Sequence, residues 1–232
     1  MMKNVLITGA NRGLGLALAK QFEQEDCALF LVVRSETARQ ELNKSLPHAK
    51  VLVSDVTEDE HEARLATFLA DVALDVVINN AGSGTKAPSL ESTQVSYLRK
   101  EFDTNCVGVL TTVKGSLTAL KRSNAPLIIN ISSRRGSLGL QAEGAAKGSG
   151  CSYSYRVSKA AQNMLTLCLA DDLEDFGITV AAIHPGRLLT TMAAKDAHMT
   201  PESAAQQIAE LAMQKQLKNR DFISLEVGRL PW

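Results

Sequence analysis

Six short, uncharged apolar runs recur along the chain, at Val5–Ile7, Leu29–Val33, Val51–Val53, Val76–Ile78, Leu127–Ile131 and Val180–Ile183. They are rich in Val, Ile and Leu and lack the polar alternation of a half-solvated strand. Such runs fit a parallel sheet buried on both faces. Helix patterns lie between them. Leu14, Leu18 and Phe22 recur four apart, and Ala161, Met164, Leu165, Cys168 and Leu169 trace one apolar stripe of a helix. Thr200, Pro201 and Glu202 open another helix, with Thr as N-cap, Pro in the first turn and an acid at the positive end. Strand and helix alternating from end to end predict an α/β fold. Its doubly wound parallel sheet would have about seven strands, with helices on both faces. Right-handed crossovers then gather all strand C-termini on one edge, where ligands bind.

Composition narrows the function classes. At 232 residues with 45% hydrophobic and 22% charged side chains, the chain can bury a core. No segment splits it, so a single domain over 1–232 is expected. Lys plus Arg and Asp plus Glu each number 25, and a net charge of zero argues against a nucleic-acid partner. No apolar stretch approaches the ~18 residues of a membrane span. Met1–Asn4 leads straight into the first apolar run without a signal region, so a cytoplasmic protein is expected. Cys27, Cys106, Cys151 and Cys168 form no CxxC pair, so the expectation is no metal site and four reduced thiols, mostly in the core. The stretch Arg134 to Ser152 carries Gly136, Gly139, Gly144, Gly148 and Gly150 and is too long for an ordinary connection. It reads as a functional loop.

The first turn carries the strongest local signal. Thr8-Gly9-Ala10-Asn11-Arg12-Gly13-Leu14-Gly15 follows the first strand and opens the first helix. Gly9 can take a backbone conformation closed to other residues. Gly13 lets backbone amides approach a pyrophosphate, and Gly15 lets the helix pack close to the strand. The helix N-terminus offers unpaired N–H groups and partial positive charge to the anion.

The spacing Thr8-Gly9-x3-Gly13-x-Gly15, with Asn79-Asn80-Ala81-Gly82 and Tyr155-x3-Lys159, resembles the short-chain dehydrogenase/reductase family. The resemblance covers nearly the whole chain, in the family's order. It implies a single Rossmann-like domain, a nicotinamide cofactor and a small-molecule substrate, with hydride passing between cofactor and a carbonyl or alcohol. It places Gly9, Asn11, Arg12, Gly13, Leu14 and Gly15 at the cofactor. Asp55, followed by Val56, falls where the family's acid meets the adenine amino group. Asn79 falls where a residue steadies the central strands near the adenine ribose, with Ala81 and Gly82 giving close backbone approach. Pro185 and Gly186 follow the sixth strand, and Thr190 stands where a Thr bonds the nicotinamide amide. His184 has no task in the family. The ending Gly228–Trp232 and the segment Ser154–Lys159 are similar to a carbonyl-reductase-like or C-factor-like branch. The family also implies a homodimer or homotetramer in many members, and monomers in some.

The catalytic set follows on the same basis. Tyr155 and Lys159 lie one helical turn apart on one face. A tyrosine hydroxyl, with an ordinary pKa of ~10, is made a better proton carrier by a nearby ammonium. The family's Ser-Ser-x-x-Gly pattern makes Ser133 the serine that polarises the substrate oxygen. Asn105 matches the Asn that bends a helix and holds a water touching the lysine. Tyr153 has Val157 four residues on, and so no ammonium partner. Ser133 and Tyr155 are 22 positions apart, longer than the family's usual spacing, and the stretch between Thr191 and Thr200 is short for a substrate lid. At the end of the second strand, 19 residues past Gly15, stands Arg34 and not an acid. With Arg12 it suits a 2′-phosphate, so NADP(H) is expected over NAD(H). Glu36, two positions later, would favour NAD if the strand ran on. Two other readings stay open: a cofactor-binding regulatory protein of the same fold, and an NAD-dependent alcohol dehydrogenase.

Overall fold

The computed structural model describes residues 2–189 and 197–232. Its strands are β1 (Asn4–Thr8), β2 (Ala28–Val33), β3 (Lys50–Val53), β4 (Val76–Asn79), β5 (Leu127–Ile131), β6 (Thr179–His184), β7 (Phe222–Ser224) and β8 (Gly228–Arg229). They form one sheet in the order β3-β2-β1-β4-β5-β6-β7-β8. Every pairing is parallel except that of β7 with β8. The helices are α1 (Gly13–Gln24), α2 (Glu36–Ser45), α3 (His61–Phe68), α4 (Val95–Phe102), α5 (Gly108–Leu120), α6 (Leu138–Ala142), α7 (Tyr153–Leu173) and α8 (Pro201–Met213). The strand order runs outward from β1 one way and from β4 the other. That reversal opens a crevice above the β1–β4 boundary, at the C-terminal edge.

The apolar runs are explained by where alternate residues point. Val5 and Ile7 of β1, with Leu29, Leu31 and Val33 of β2, pack beneath Leu14, Leu18 and Phe22 of α1 and Ile208 of α8. Leu6, Phe30 and Val32 face the other way, toward Leu65 of α3, Val109 and Val113 of α5, and Leu169 of α7. A strand covered on both sides has no solvent face, so neither register of its pleat is polar.

All six apolar runs are strands. The short β7 and β8 lie outside them, because Phe222–Ser224 carries only two apolar residues and is defined by its neighbours. It pairs with β6, and the Phe222 ring stacks on Trp232 at 5.1 Å. The start of α8 is as read: the Thr200 hydroxyl accepts from the Ser203 N–H at 3.1 Å, with Pro201 in the first turn. The apolar stripe on α7 is divided between core and surface: Leu169 is buried and Leu165 packs against the same cluster. Met164 is 58% exposed and Cys168 is exposed, whereas Ser154, Ser158, Lys159, Gln162, Asn163 and Thr166 are buried. The first turns of the inner face of α7 therefore meet polar groups at the strand ends, and its apolar core contacts come from Leu169, Ala170 and Leu173. The thiol expectation is corrected on burial: all four cysteines are free, but only Cys27 is buried.

The 134–152 stretch has structure of its own, a 3₁₀ turn at Arg134–Gly136 and then α6. It is fastened to the C-terminus, with Ser137 Oγ donating to the Pro231 carbonyl at 2.7 Å and the Gly139 N–H to the Trp232 carbonyl at 2.9 Å. Among the described residues, no helix is long and apolar enough to cross a membrane.

Candidate active site

The crevice begins at the glycine turn. Gly9 has φ +66°, a left-handed conformation that a side chain would strain, and its N–H donates to the Val32 carbonyl at 2.9 Å. The turn is held from β4. Asn80 Nδ2 donates to the Thr8 and Gly9 carbonyls at 3.0 and 3.2 Å, and Thr8 Oγ1 accepts from the N–H groups of Asn80 and Ala81. A Cβ on Gly15 would lie 2.2 Å from the Gly9 carbonyl oxygen and 2.5 Å from Asn80 Nδ2. Gly15→Ala is therefore expected to force the helix off the strand and destabilise the fold by ~1–3 kcal/mol, read as a lower Tm together with weakened cofactor binding. A Tm within a degree of the parent would show that the turn is not tightly packed.

The N-terminus of α1 is open. Arg12 occupies its cap position with no side-chain cap, and the first turn holds no acid. By contrast Ser35 caps α2 and Ser152 caps α7. The orphan N–H groups of α1 thus face the crevice beside exposed Asn11, Arg12 and Gly13, while Leu14 is buried beneath. Arg34 is exposed just beyond Val33, where β2 ends. Glu36 lies inside α2 and is ion-paired with Arg39, so it is not at the strand end. Asp55 sits in the turn after β3, its Oδ1 accepting from Thr57 N and Oγ1 at 3.0 and 2.9 Å. Val56 is buried against Gly108. This cradle, with an uncapped helix and a glycine where a Cβ would clash, fits a dinucleotide pyrophosphate.

Asn79 is buried, and Nδ2 donates to Asn130 Oδ1 at 2.8 Å. Asn130 passes the contact to Thr166 of α7 at 2.9 Å. Its carboxamide is thus turned into the protein, tying β4 to β5 and α7. Asn80, which sequence reasoning did not single out, is the one that grips the glycine turn. Ala81 passes close to that turn, its Cα 3.0 Å from where a Gly9 Cβ would stand, while a Cβ on Gly82 would lie 3.4 Å from Asn105 Oδ1.

Ser133, Tyr155 and Lys159 meet where β5 ends against α7. Ser132 turns inward to Asn163, which leaves Ser133 to face the crevice, capping the 3₁₀ turn by accepting from the Arg135 N–H at 3.2 Å. Burial pushes the Tyr155 hydroxyl up to about 12, and hydrogen bonding with Ser133 pulls the other way. Lys159 is 5% exposed. Its Nζ donates to the Ile131 carbonyl at 2.7 Å and to Gln162 Oε1 at 2.9 Å, and burial brings its pKa down to about 7. Asn105 lies in a π-helical turn, Asp103–Val107, between α4 and α5, the expected bend. Its Oδ1 accepts from the Ser83 N–H at 2.8 Å, and its Nδ2 donates to the Ser83 carbonyl and to Ser158 Oγ, each at 2.9 Å. Asn105 therefore reaches α7 one residue before Lys159. Tyr153 is 39% exposed and stacks with Arg156.

On the far side, Pro185 and Gly186 follow β6, with Gly186 at φ +84°. Thr190 lies outside the described residues. His184 is buried, and burial pushes its pKa down to about 4. Glu226, between β7 and β8, lies 3.4 Å from His184 Nε2, 2.8 Å from Arg187 Nε and 3.2 Å from His198 Nε2. That hub, Gln162 and the buried Glu101 escaped the sequence reading. Glu101 Oε1 accepts from Thr85 N at 2.8 Å and from Ser154 Oγ at 3.0 Å. The available signal was the polar period on α7, Ser154, Ser158, Lys159, Gln162, Asn163 and Thr166, which matches one helix face.

Comparison with known proteins agrees with this geometry. Residues 3–201 match the family model described as short chain dehydrogenase. The chain is 32% identical to rabbit (Oryctolagus cuniculus) L-fucose dehydrogenase over 208 residues, 88% of this chain and 69% of that protein. Among solved structures it is similar to the carbonyl reductase Sniffer of D. melanogaster, with TM-score 0.87, 29% identity and full coverage of both chains. It is also similar to the NADPH-bound carbonyl reductase from chicken fatty liver, with TM-score 0.86, 26% identity and coverage of 100% of this chain and 99% of that one.

Proposed function

The chain belongs to the short-chain dehydrogenase family, and from that premise we propose that it is an NADPH-dependent carbonyl reductase whose proton donor is Tyr155. The observation that carries this reading is the meeting of Ser133, Tyr155 and Lys159 at the mouth of a crevice whose other wall is an uncapped, glycine-lined helix start. A bound reduced nicotinamide supplies the hydride.

The chain's own groups do the rest. Tyr155, with its hydroxyl raised by burial, keeps its proton at neutral pH and gives it to the carbonyl oxygen. Ser133 donates a hydrogen bond to that oxygen as charge develops. The ammonium of Lys159 favours the tyrosinate that remains, lowering the cost of proton release, and its Nζ would hold the ribose of a bound nicotinamide. Asn105 keeps the loop after β4 and the start of α7 in register. Arg12 and Arg34 hold the adenosine end. The reverse reaction uses the same groups, and the kinship with L-fucose dehydrogenase supports a second reading in which alcohol oxidation is the physiological direction.

The test is a panel of aldehydes, ketones and quinones assayed with NADPH. Turnover above background supports the reading. Cofactor binding with no turnover on any of them would instead make the protein a nucleotide-binding regulator. Lys159→Met is expected to weaken NADPH binding roughly tenfold or more, to lower kcat, and to displace the pH–rate profile upward in the oxidation direction. An unmoved profile with unchanged affinity would remove the double role of this lysine.

A further inference from the structure

We propose that Gln162 is a positioning residue that sets where the Lys159 amine rests and how firmly it holds its proton. The inference rests on the reading of Tyr155 and Lys159 as the proton-transfer pair. Gln162 is three residues past Lys159 on the inner face of α7 and is fully buried. Its Oε1 accepts from Nζ at 2.9 Å. The other acceptor of Nζ is the Ile131 carbonyl, the last of β5, at 2.7 Å. The turn after β5 packs directly on α7 at Lys159. A Cβ on Gly136 would lie 2.7 Å from the Lys159 carbonyl carbon and 3.0 Å from its Cβ. Its two acceptors hold the amine at the strand end, 5.9 Å from the centroid of the Tyr155 ring.

The second end of the Gln162 carboxamide is the informative one. Nε2 is buried and has no hydrogen-bond partner, a state that costs free energy unless the group has another use. A carboxamide is both acceptor and donor. Through Oε1 it accepts from an ammonium, and after a half-turn of its terminal torsion Nε2 donates to a neutral amine. One side chain can therefore serve both protonation states of Lys159. That suits an amine which burial has brought to about 7. The charged and titratable groups around the pair are Arg156 of α7, Cys151 ahead of that helix, Glu101 of α4, and Arg134 and Arg135 of the turn after β5. Cys151 and Glu101 act on Tyr155, and Arg135 and Arg156 on Cys151. None of these is a hydrogen-bond partner of Lys159 Nζ among the described residues, so Gln162 is the side chain placed to tune it.

The test is a pH titration of the lysine side-chain amines by NMR in protein labelled with ¹⁵N-lysine, the Lys159 signal being assigned by its loss in Lys159→Met. Removing an acceptor disfavours the ammonium, so Gln162→Leu should move the Lys159 midpoint down by about one pH unit or more. Gln162→Glu places a carboxylate there and should move it up. The kcat–pH profile in the oxidation direction should rise at higher pH in the Leu variant, because Tyr155 loses its neighbouring cation over more of the range. A midpoint unmoved in Gln162→Leu overturns the proposal. Should that variant fail to fold, an unmoved midpoint in Gln162→Glu does so. The titration needs no turnover. Shifted midpoints in a protein that reduces no carbonyl would uphold the hold of Gln162 on Lys159 and sink the reductase reading alone.

Discussion

Replacing Tyr155 by Phe is expected to lower carbonyl turnover by at least ~10²-fold, the scale of a lost general acid, while NADPH binding is kept. The change removes one oxygen and leaves the ring that packs at the start of α7. The hydroxyl sits against Ser133, and burial holds its proton well past neutrality, so it enters the reaction in the protonated form that a general acid needs. Ser133 would still polarise the substrate oxygen but has no proton to release at neutral pH. Tyr153→Phe is the control: that ring is exposed and stacked with Arg156, and its loss should leave kcat nearly unchanged. A variant Tyr155→Phe with near-parental kcat would end the proposed mechanism, and a matching loss at Tyr153 would mean that the other tyrosine is the acid.

The second large effect is cofactor choice. NADPH should exceed NADH by one to a few orders of magnitude in kcat/KM, as two charge-assisted contacts at ~1.5–3 kcal/mol each would give. Arg34 is exposed at the end of β2, and Arg12 is exposed at the start of α1. Among the described residues neither guanidinium is held by a carboxylate. The acid that follows that strand end in sequence, Glu36, is engaged with Arg39 on α2. A 2′-phosphate between the two cations is matched in charge and in the planar fork of the guanidinium. Arg34→Asp should erase or reverse the preference, mainly through KM. Equal kcat/KM for the two cofactors in the parent protein would falsify this assignment.

Much of the architecture was legible before any coordinates. Val5–Ile7 and Leu29–Val33 read as doubly buried strands because each pleat position faces a hydrophobic layer. Thr200-Pro201 read as a helix start because capping is local chemistry. Glu36 could not be resolved from its spacing, since one residue of strand length decides whether an acid faces a ribose or a helix flank. The α7 stripe read correctly as a helix. Periodicity reveals that a helix has two faces, and which one turns inward depends on what the neighbouring strands present.

The chain by itself determined the strand–helix alternation, the glycine turn and the one-turn spacing of Tyr155 and Lys159, because each is written in residues at most a few positions apart. Only the tertiary structure decided that Asn80 and not Asn79 grips the glycine turn, and that Glu101 anchors Ser154 beside Tyr155. It alone joined Glu226 to His184, Arg187 and His198, and placed the buried carboxamide of Gln162 and the end of β5 on the Lys159 amine. Those contacts join different elements or depend on which face of a helix is buried. Their energies come from burial and from hydrogen bonds without competing water, quantities that exist only once the sheet and helices have closed around them.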